Sequence, residues 1–175
     1  SQDTYEFGRP NHRHLDALVT LLPMFEQNRL KPQTPYERKL VVSWDFSSLS
    51  GLAETIGKQY ERLGDIVPAL KWLKISSKLD EDKNWHGPVM SRQGQLLYLS
   101  ALAGDLEAAS KHVEKIKQVE NDPEYYPDES GWTKFWVTRG EAAYSEALGH
   151  LDEAATKYST AISLYKTLDE QWPNQ

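Results

Sequence analysis

The sequence predicts an all-α chain built of stacked helical hairpins, on three observations. From Gly64, Gly104 and Gly149 the same offsets recur: a large aliphatic two residues on (Ile66, Leu106, Leu151), alanine five on (Ala69, Ala109, Ala154) and a bulky apolar residue nine on (Leu73, Val113, Tyr158). Glycine admits the tight turn between two helices, and an alanine followed four later by a bulky residue lies on one helical face, so each unit reads as helix, turn, helix. The stretches "LDEDKNWHGP" and "VENDPEYYPDESGW", rich in Pro, Gly, Asp and Asn, then fall between units as loops.

Taken in order, residues 1–48 include "HLDALVTLLPMFEQNRL", where Leu15, Leu18, Leu22 and Phe25 form a helical stripe that Pro23 kinks or ends. "YERKLVVSWDF" fits two patterns. Leu40, Val42, Trp44 and Phe46 alternate as in a strand, while Tyr36, Leu40, Val41 and Trp44 share a helix face. The surrounding helices favour a second helix, giving a degenerate helical pair that caps the first repeat. Ser47 and Ser48 are the expected N-caps of the next helix. Helices are then expected at about 49–62, 66–79, 88–103, 106–119, 131–148 and 151–170.

Composition narrows the function classes. With no cysteine, disulfides, zinc knuckles and thiol nucleophiles drop out. A net charge of −6 with scattered Lys and Arg opposes a nucleic-acid surface, and no run of residues is long and apolar enough for membrane insertion. "GLAETIGKQ" is not a nucleotide loop, because five residues separate Gly51 from Gly57 and Gln59 follows Lys58. "LDEDKNWHGPVMS" is not a calcium loop, because Trp85 replaces the turn glycine and Ser91 the bidentate acid. The histidines at 12, 14, 86, 112 and 150 read as surface residues, and no cofactor, metal site or catalytic constellation is expected.

The first unit carries a family resemblance. Ala53-x2-Ile56-Gly57-x2-Tyr60 … Ala69-x3-Leu73 resembles the tetratricopeptide (TPR) signature, with Ala53 in place of its tryptophan. The later first helices match less closely, Leu96–Leu97 and Glu141–Ala142 standing where the motif has Leu-Gly. The glycine intervals of 40 and 45 residues exceed the family's 34, so each junction holds an insertion. The resemblance implies a right-handed superhelical array of antiparallel helix pairs, an α-solenoid, with an N-terminal degenerate pair over residues 1–48. Three repeats, at about 49–79, 88–119 and 131–170, then occupy residues 49–175.

In such arrays the first helices line a concave groove that binds a protein or peptide partner. The resemblance places Glu54, Lys58, Glu61 and Arg62 on that face in the first repeat, Gly94, Tyr98 and Ala101 in the second, and Trp136, Arg139 and Ala143 in the third. The carboxylate clamp that grips chaperone tails does not carry over: Glu54, Trp136 and Gly140 occupy three of its positions, and only Lys58 remains as a cation. Tyr98, Trp136 and Arg139 imply instead an aromatic groove with a cationic anchor, residue types enriched at binding hot spots.

The acidic stretch 118–131, holding Tyr125 and Tyr126, is either a flap over that groove or a solvated spacer with one docked aromatic. The expected function is a non-catalytic interaction module. The alternative is a regulatory, sensory or dimerisation domain of a larger signalling protein, such as a bacterial transcription regulator or cyclase, possible as a homodimer. Ser1 in the first position and the uncovered Trp172 fit that alternative.

Overall fold

A computed structural model describes residues 49–81, 86–125 and 131–171. The helical pair expected in residues 1–48, with Ser47 and Ser48, lies outside them. Among the described residues every regular element is a helix: α1 Leu49–Arg62, α2 Ile66–Glu81, α3 His86–Leu102, α4 Leu106–Glu120, α5 Trp132–Ala147 and α6 Leu151–Gln171. All six begin and end within two residues of the expected positions. The chain divides into two compact units, Ser1–Trp72 and Leu73–Gln175, the division passing through α2.

The recurring glycine has one structural meaning. Gly64, Gly104 and Gly149 all adopt positive φ, at 79°, 73° and 81°. In each turn the glycine N–H donates to a carbonyl three residues back and the next N–H to one five back: Gly64 to Glu61 and Asp65 to Tyr60, Gly104 to Ala101 and Asp105 to Ser100, Gly149 to Glu146 and His150 to Ser145. This Schellman arrangement satisfies carbonyls that a helix end would otherwise leave bare, and it needs a left-handed residue in the middle. After the second turn the Asp105 carboxylate accepts the Ala108 N–H and so caps α4.

In the first unit, Leu52, Ala53, Ile56 and Ala69 are wholly buried, so the alanine standing in the motif's tryptophan position is a core residue. In the second unit, α3 is buried almost all round, from Arg92 through Leu97 without interruption. It folds back on α4 through the Gly104 turn and packs along α5, which folds back on α6. Val89, Met90, Leu97, Ala109, Ile116, Val119 and Val137 make one core cluster, with Val113, Tyr125 and Tyr144 packed on its margin. Phe135, Ala161 and Leu168 make a second, flanked by Trp132, Trp136 and Leu164. Tyr125 therefore docks on the core midway along the acidic stretch, of which residues 126–130 lie outside the description.

The contact between α3 and α5 is made by backbone. A Cβ added to Gly94 would lie 2.6 Å from the Trp136 carbonyl carbon and the Val137 nitrogen, and one on Gly140 would lie 2.5 Å from the Gly94 oxygen. One turn earlier, the Ser91 and Thr133 hydroxyls are 2.8 Å apart. Successive contacts climb both helices together, so α3 and α5 run parallel.

A polar seam ties the C-terminal half of α2 to α3 and α4. Arg92 Nε donates to Ser76 Oγ at 2.7 Å and lies 3.7 Å from Asp80 Oδ2. Gln93 Nε2 donates to Ser77 Oγ at 2.9 Å, and Gln93 Oε1 lies 2.7 Å from His112 Nδ1. An amide oxygen can only accept, so the histidine proton sits on Nδ1. His112 is thus half-buried rather than the surface residue expected, because a ring nitrogen is needed to satisfy Gln93. Burial first, then the Lys74 charge, hold its pKa down to about 4 against the opposing pull of Asp105.

Two predictions follow from this packing. Gly94→Ala and Gly140→Ala should each destabilise by about 2–4 kcal/mol, because the methyl meets backbone that must move, whereas Gly104→Ala should cost only about 1 kcal/mol for its positive φ. Equal losses in urea unfolding would contradict the backbone contact. For His112, the folded state holds the neutral ring and the unfolded state protonates at the ordinary value. Its contribution is therefore complete above about pH 6.5 and is lost as pH falls towards about 4. Over that window the wild type should lose about 2 kcal/mol more than His112→Asn, whose amide N–H still reaches Gln93; parallel pH profiles would refute it.

Candidate functional site

On the second unit, the α3–α5 contact gathers three of the six residues expected to line the groove there, Tyr98, Trp136 and Arg139. With α3 and α5 parallel and touching at Gly94 and Gly140, Tyr98 and Arg139 come level with each other. The Arg139 guanidinium carbon sits 3.6 Å from the Tyr98 ring centroid and 5.4 Å from that of Trp136. Cations favour the electron-rich ring face, and the guanidinium plane stacks there while its edge N–H groups keep their hydrogen-bonding directions.

Trp136 is shared with the packing behind it. Its ring lies 4.8 Å from Phe135 in an edge contact, and Phe135 in turn lies 5.6 Å from Tyr165 on α6. Trp132 closes the group, 5.8 Å from Phe135 and 6.2 Å from Tyr165, both edge-on. Aromatic pairs at these separations add stabilisation beyond their buried area and fix ring orientation.

Gly94, Ala101 and Ala143 are buried rather than displayed. Gly94 lies under α5, and the two alanines sit one helical turn past Tyr98 and Arg139. The open part of this face therefore belongs to the larger side chains. On the first unit, Lys58 Nζ pairs with Glu54 Oε1 at 2.6 Å across one turn of α1, Glu61 is half-buried, and Arg62 is exposed in the last turn.

Two further residues join the second-unit group that sequence reasoning did not single out as site residues. Tyr158, on α6, donates its hydroxyl to Glu146 Oε2 at 2.8 Å. Burial, followed by the bond to Glu146, pushes the Tyr158 hydroxyl up to about 12, with Tyr98 raising it further and Arg139 lowering it, so the four groups share one neighbourhood. The available signal was the phenol itself. Leu73 and Val113 hold the corresponding place in the other units, and only the third has a polar tip there.

Elsewhere on this unit, Lys157 Nζ lies 2.8 Å from Glu153 Oε1 and 3.4 Å from Glu141 Oε2. A shallow depression runs along α6 past Gly131, Thr160, Ser163 and Leu164. The hydroxyls of Thr160, Ser163 and Thr167 donate back to carbonyls of their own helix, so its lining presents mainly carbon. Among the described residues, no group of histidine and acidic side chains is arranged to hold a metal ion, and no helix is long and apolar enough to cross a membrane.

No family model, curated protein or solved structure matches the chain. What the site can do follows from its own chemistry: a stacked cation, two aromatic faces and an oriented carboxylate suit non-covalent recognition. If the stacking is energetic, a double-mutant cycle of Tyr98→Leu and Arg139→Leu should return a coupling of about 0.5–1 kcal/mol in urea unfolding; additive losses would count against it.

Proposed function

We propose that the chain is a non-catalytic interaction module whose three hairpins form a tetratricopeptide-like array and whose α3–α5 face receives a peptide segment of a partner protein. The observation that carries this reading is the stacking of Arg139 over Tyr98, with Trp136 beside them, across two parallel helices that touch through glycine. Tryptophan, tyrosine and arginine are the side chains that most often dominate binding energy, because each offers a large, stiff surface with a polar edge. The repeated Schellman turns support the array, since identical turns launch each second helix in the same way.

Peptides selected from a displayed random library on the full chain test this reading. Selected peptides should bind the wild type and lose at least about tenfold in affinity on Arg139→Glu and on Trp136→Ala, with helical circular dichroism preserved. Peptides that bind all three proteins equally would remove the face from consideration.

A further inference from the structure

Among the described helices α6 packs on α5 alone, which calls for one apolar stripe, yet it carries two. Ala154, Ala161 and Leu168, seven residues apart, are buried, and Ala161 and Leu168 pack with Phe135 of α5. Beside them runs a second set, Leu151, Ala155, Tyr158, Ile162 and Tyr165, at alternating steps of four and three residues. At 3.6 residues per turn these five fall within about 80° of the helix circumference. Leu151, Ile162 and Tyr165 are 66%, 56% and 46% exposed, Ala155 is exposed and Tyr158 is half-buried. The two phenols lean on α5: the Tyr158 hydroxyl donates to Glu146 Oε2, and the Tyr165 ring lies against Trp132 and Phe135. Both rings are thus held in place, while Leu151, Ala155 and Ile162 stay open.

A stripe on this seven-residue repeat is the pattern of a helix that lies lengthwise against another helix, and its flanks identify the partner. One flank is the buried set, Ala154, Ala161 and Leu168, which α5 already covers. The other carries Asp152, Ser159 and Lys166, again seven apart and all exposed: an acid at one end, a small hydroxyl in the middle, a base at the other. Set antiparallel against an identical helix, this flank meets itself, so Asp152 of each copy comes opposite Lys166 of the other in two equivalent pairs. The same alignment puts Ala155 opposite Tyr165, small against large, and Tyr158 opposite Ile162. A parallel copy would instead turn the charged flank to the covered one and leave both charges unmatched. Residue i meeting j while j meets i is what a two-fold contact requires. Glu153 and Lys157, on the far side of α6, already pair with each other.

We infer that α6 is a dimerisation helix whose occupant is a second copy of this chain: two α6 helices associate antiparallel, their Leu151–Tyr165 stripes packed together and Asp152 of each copy paired with Lys166 of the other. The stripe supplies the apolar burial, and the charged flank sets direction and register.

Sedimentation velocity of the full chain over the micromolar range tests this. The wild type should pass from monomer to dimer, and Ile162→Glu should stay monomeric with helical circular dichroism preserved, since the site is exposed. Asp152→Lys and Lys166→Asp should each weaken the dimer at least about tenfold, because like charges then face each other twice, and the two together should restore it. This exchange reads the interface without touching the stripe. Thr160→Glu, on the opposite side of α6, should leave association unchanged. A wild type that remains monomeric throughout, or a dimer that Ile162→Glu leaves intact, would overturn the inference. So would a charge-exchanged double variant that associates no better than the single ones, since the antiparallel alignment requires rescue. Equal loss on Thr160→Glu would show a general effect of added negative charge and overturn it too. The peptide-binding reading concerns the α3–α5 face and stands or falls apart from these outcomes.

Discussion

Backbone touching backbone at Gly94 and Gly140 is the constraint on which the second unit's geometry turns. Helices that meet through ordinary side chains stand about 8–10 Å apart, with register set loosely by whichever ridges interlock. Here a Cβ on either glycine would strike main-chain atoms of the other helix, so the two axes approach closely at one height only. That height places Ser91 opposite Thr133 and Tyr98 beneath Arg139. A wider separation would leave the guanidinium spanning a gap instead of lying on the ring.

Such closeness at the centre makes α3 an interior helix, and its sequence is odd for one. Arg92, Gln93 and Gln95 are buried among its leucines. Buried polar groups are tolerable only when their bonds are made, and for Arg92 and Gln93 the partners are Ser76, Ser77, Asp80 and His112. Leucines at these places would bury more apolar surface but accept several rotational settings. Directional bonds to α2 and α4 favour one, complementing the single setting that the glycines impose on the opposite side of α3.

The hairpins were legible because their determinants are local. A left-handed glycine, an aliphatic two residues on and an alanine five on specify the turn and the first contact of the second helix, and Ala69, Ala109 and Ala154 are buried as that pattern requires. The close contact of α3 with α5 was not legible, because its two glycines belong to different repeats and neither stands where the repeat motif puts a small residue. Leu97 fills that position in the second repeat, and the notch has moved back one turn on the same face, to Gly94. Alignment alone turned Gly94 towards the groove; only the neighbouring helix shows it underneath. His112 was misread for a related reason, since nothing near it in the chain announces that Gln93 needs a donor. Of the groove residues, Tyr98, Trp136 and Arg139 come together as their types suggested, whereas the Tyr158–Glu146 pair joins positions that the motif treats as a core side chain and an exposed one.

Of the three cations on the expected groove positions, Lys58, Arg62 and Arg139, the first and the last are held in different ways. Lys58 reaches one turn back to Glu54 along its own helix, a pair worth a few tenths of a kcal/mol that salt screens. Taking a partner's acid would mean giving up Glu54 and fixing a flexible stem, at about 0.5–1.5 kcal/mol for an immobilised side chain. Arg139 already rests on Tyr98, so much of its side-chain freedom is lost before any partner arrives. The ring holds the cation by its face. Folding thus meets the ordering cost of this side chain, which is mounted on two helices whose separation the glycine contact fixes.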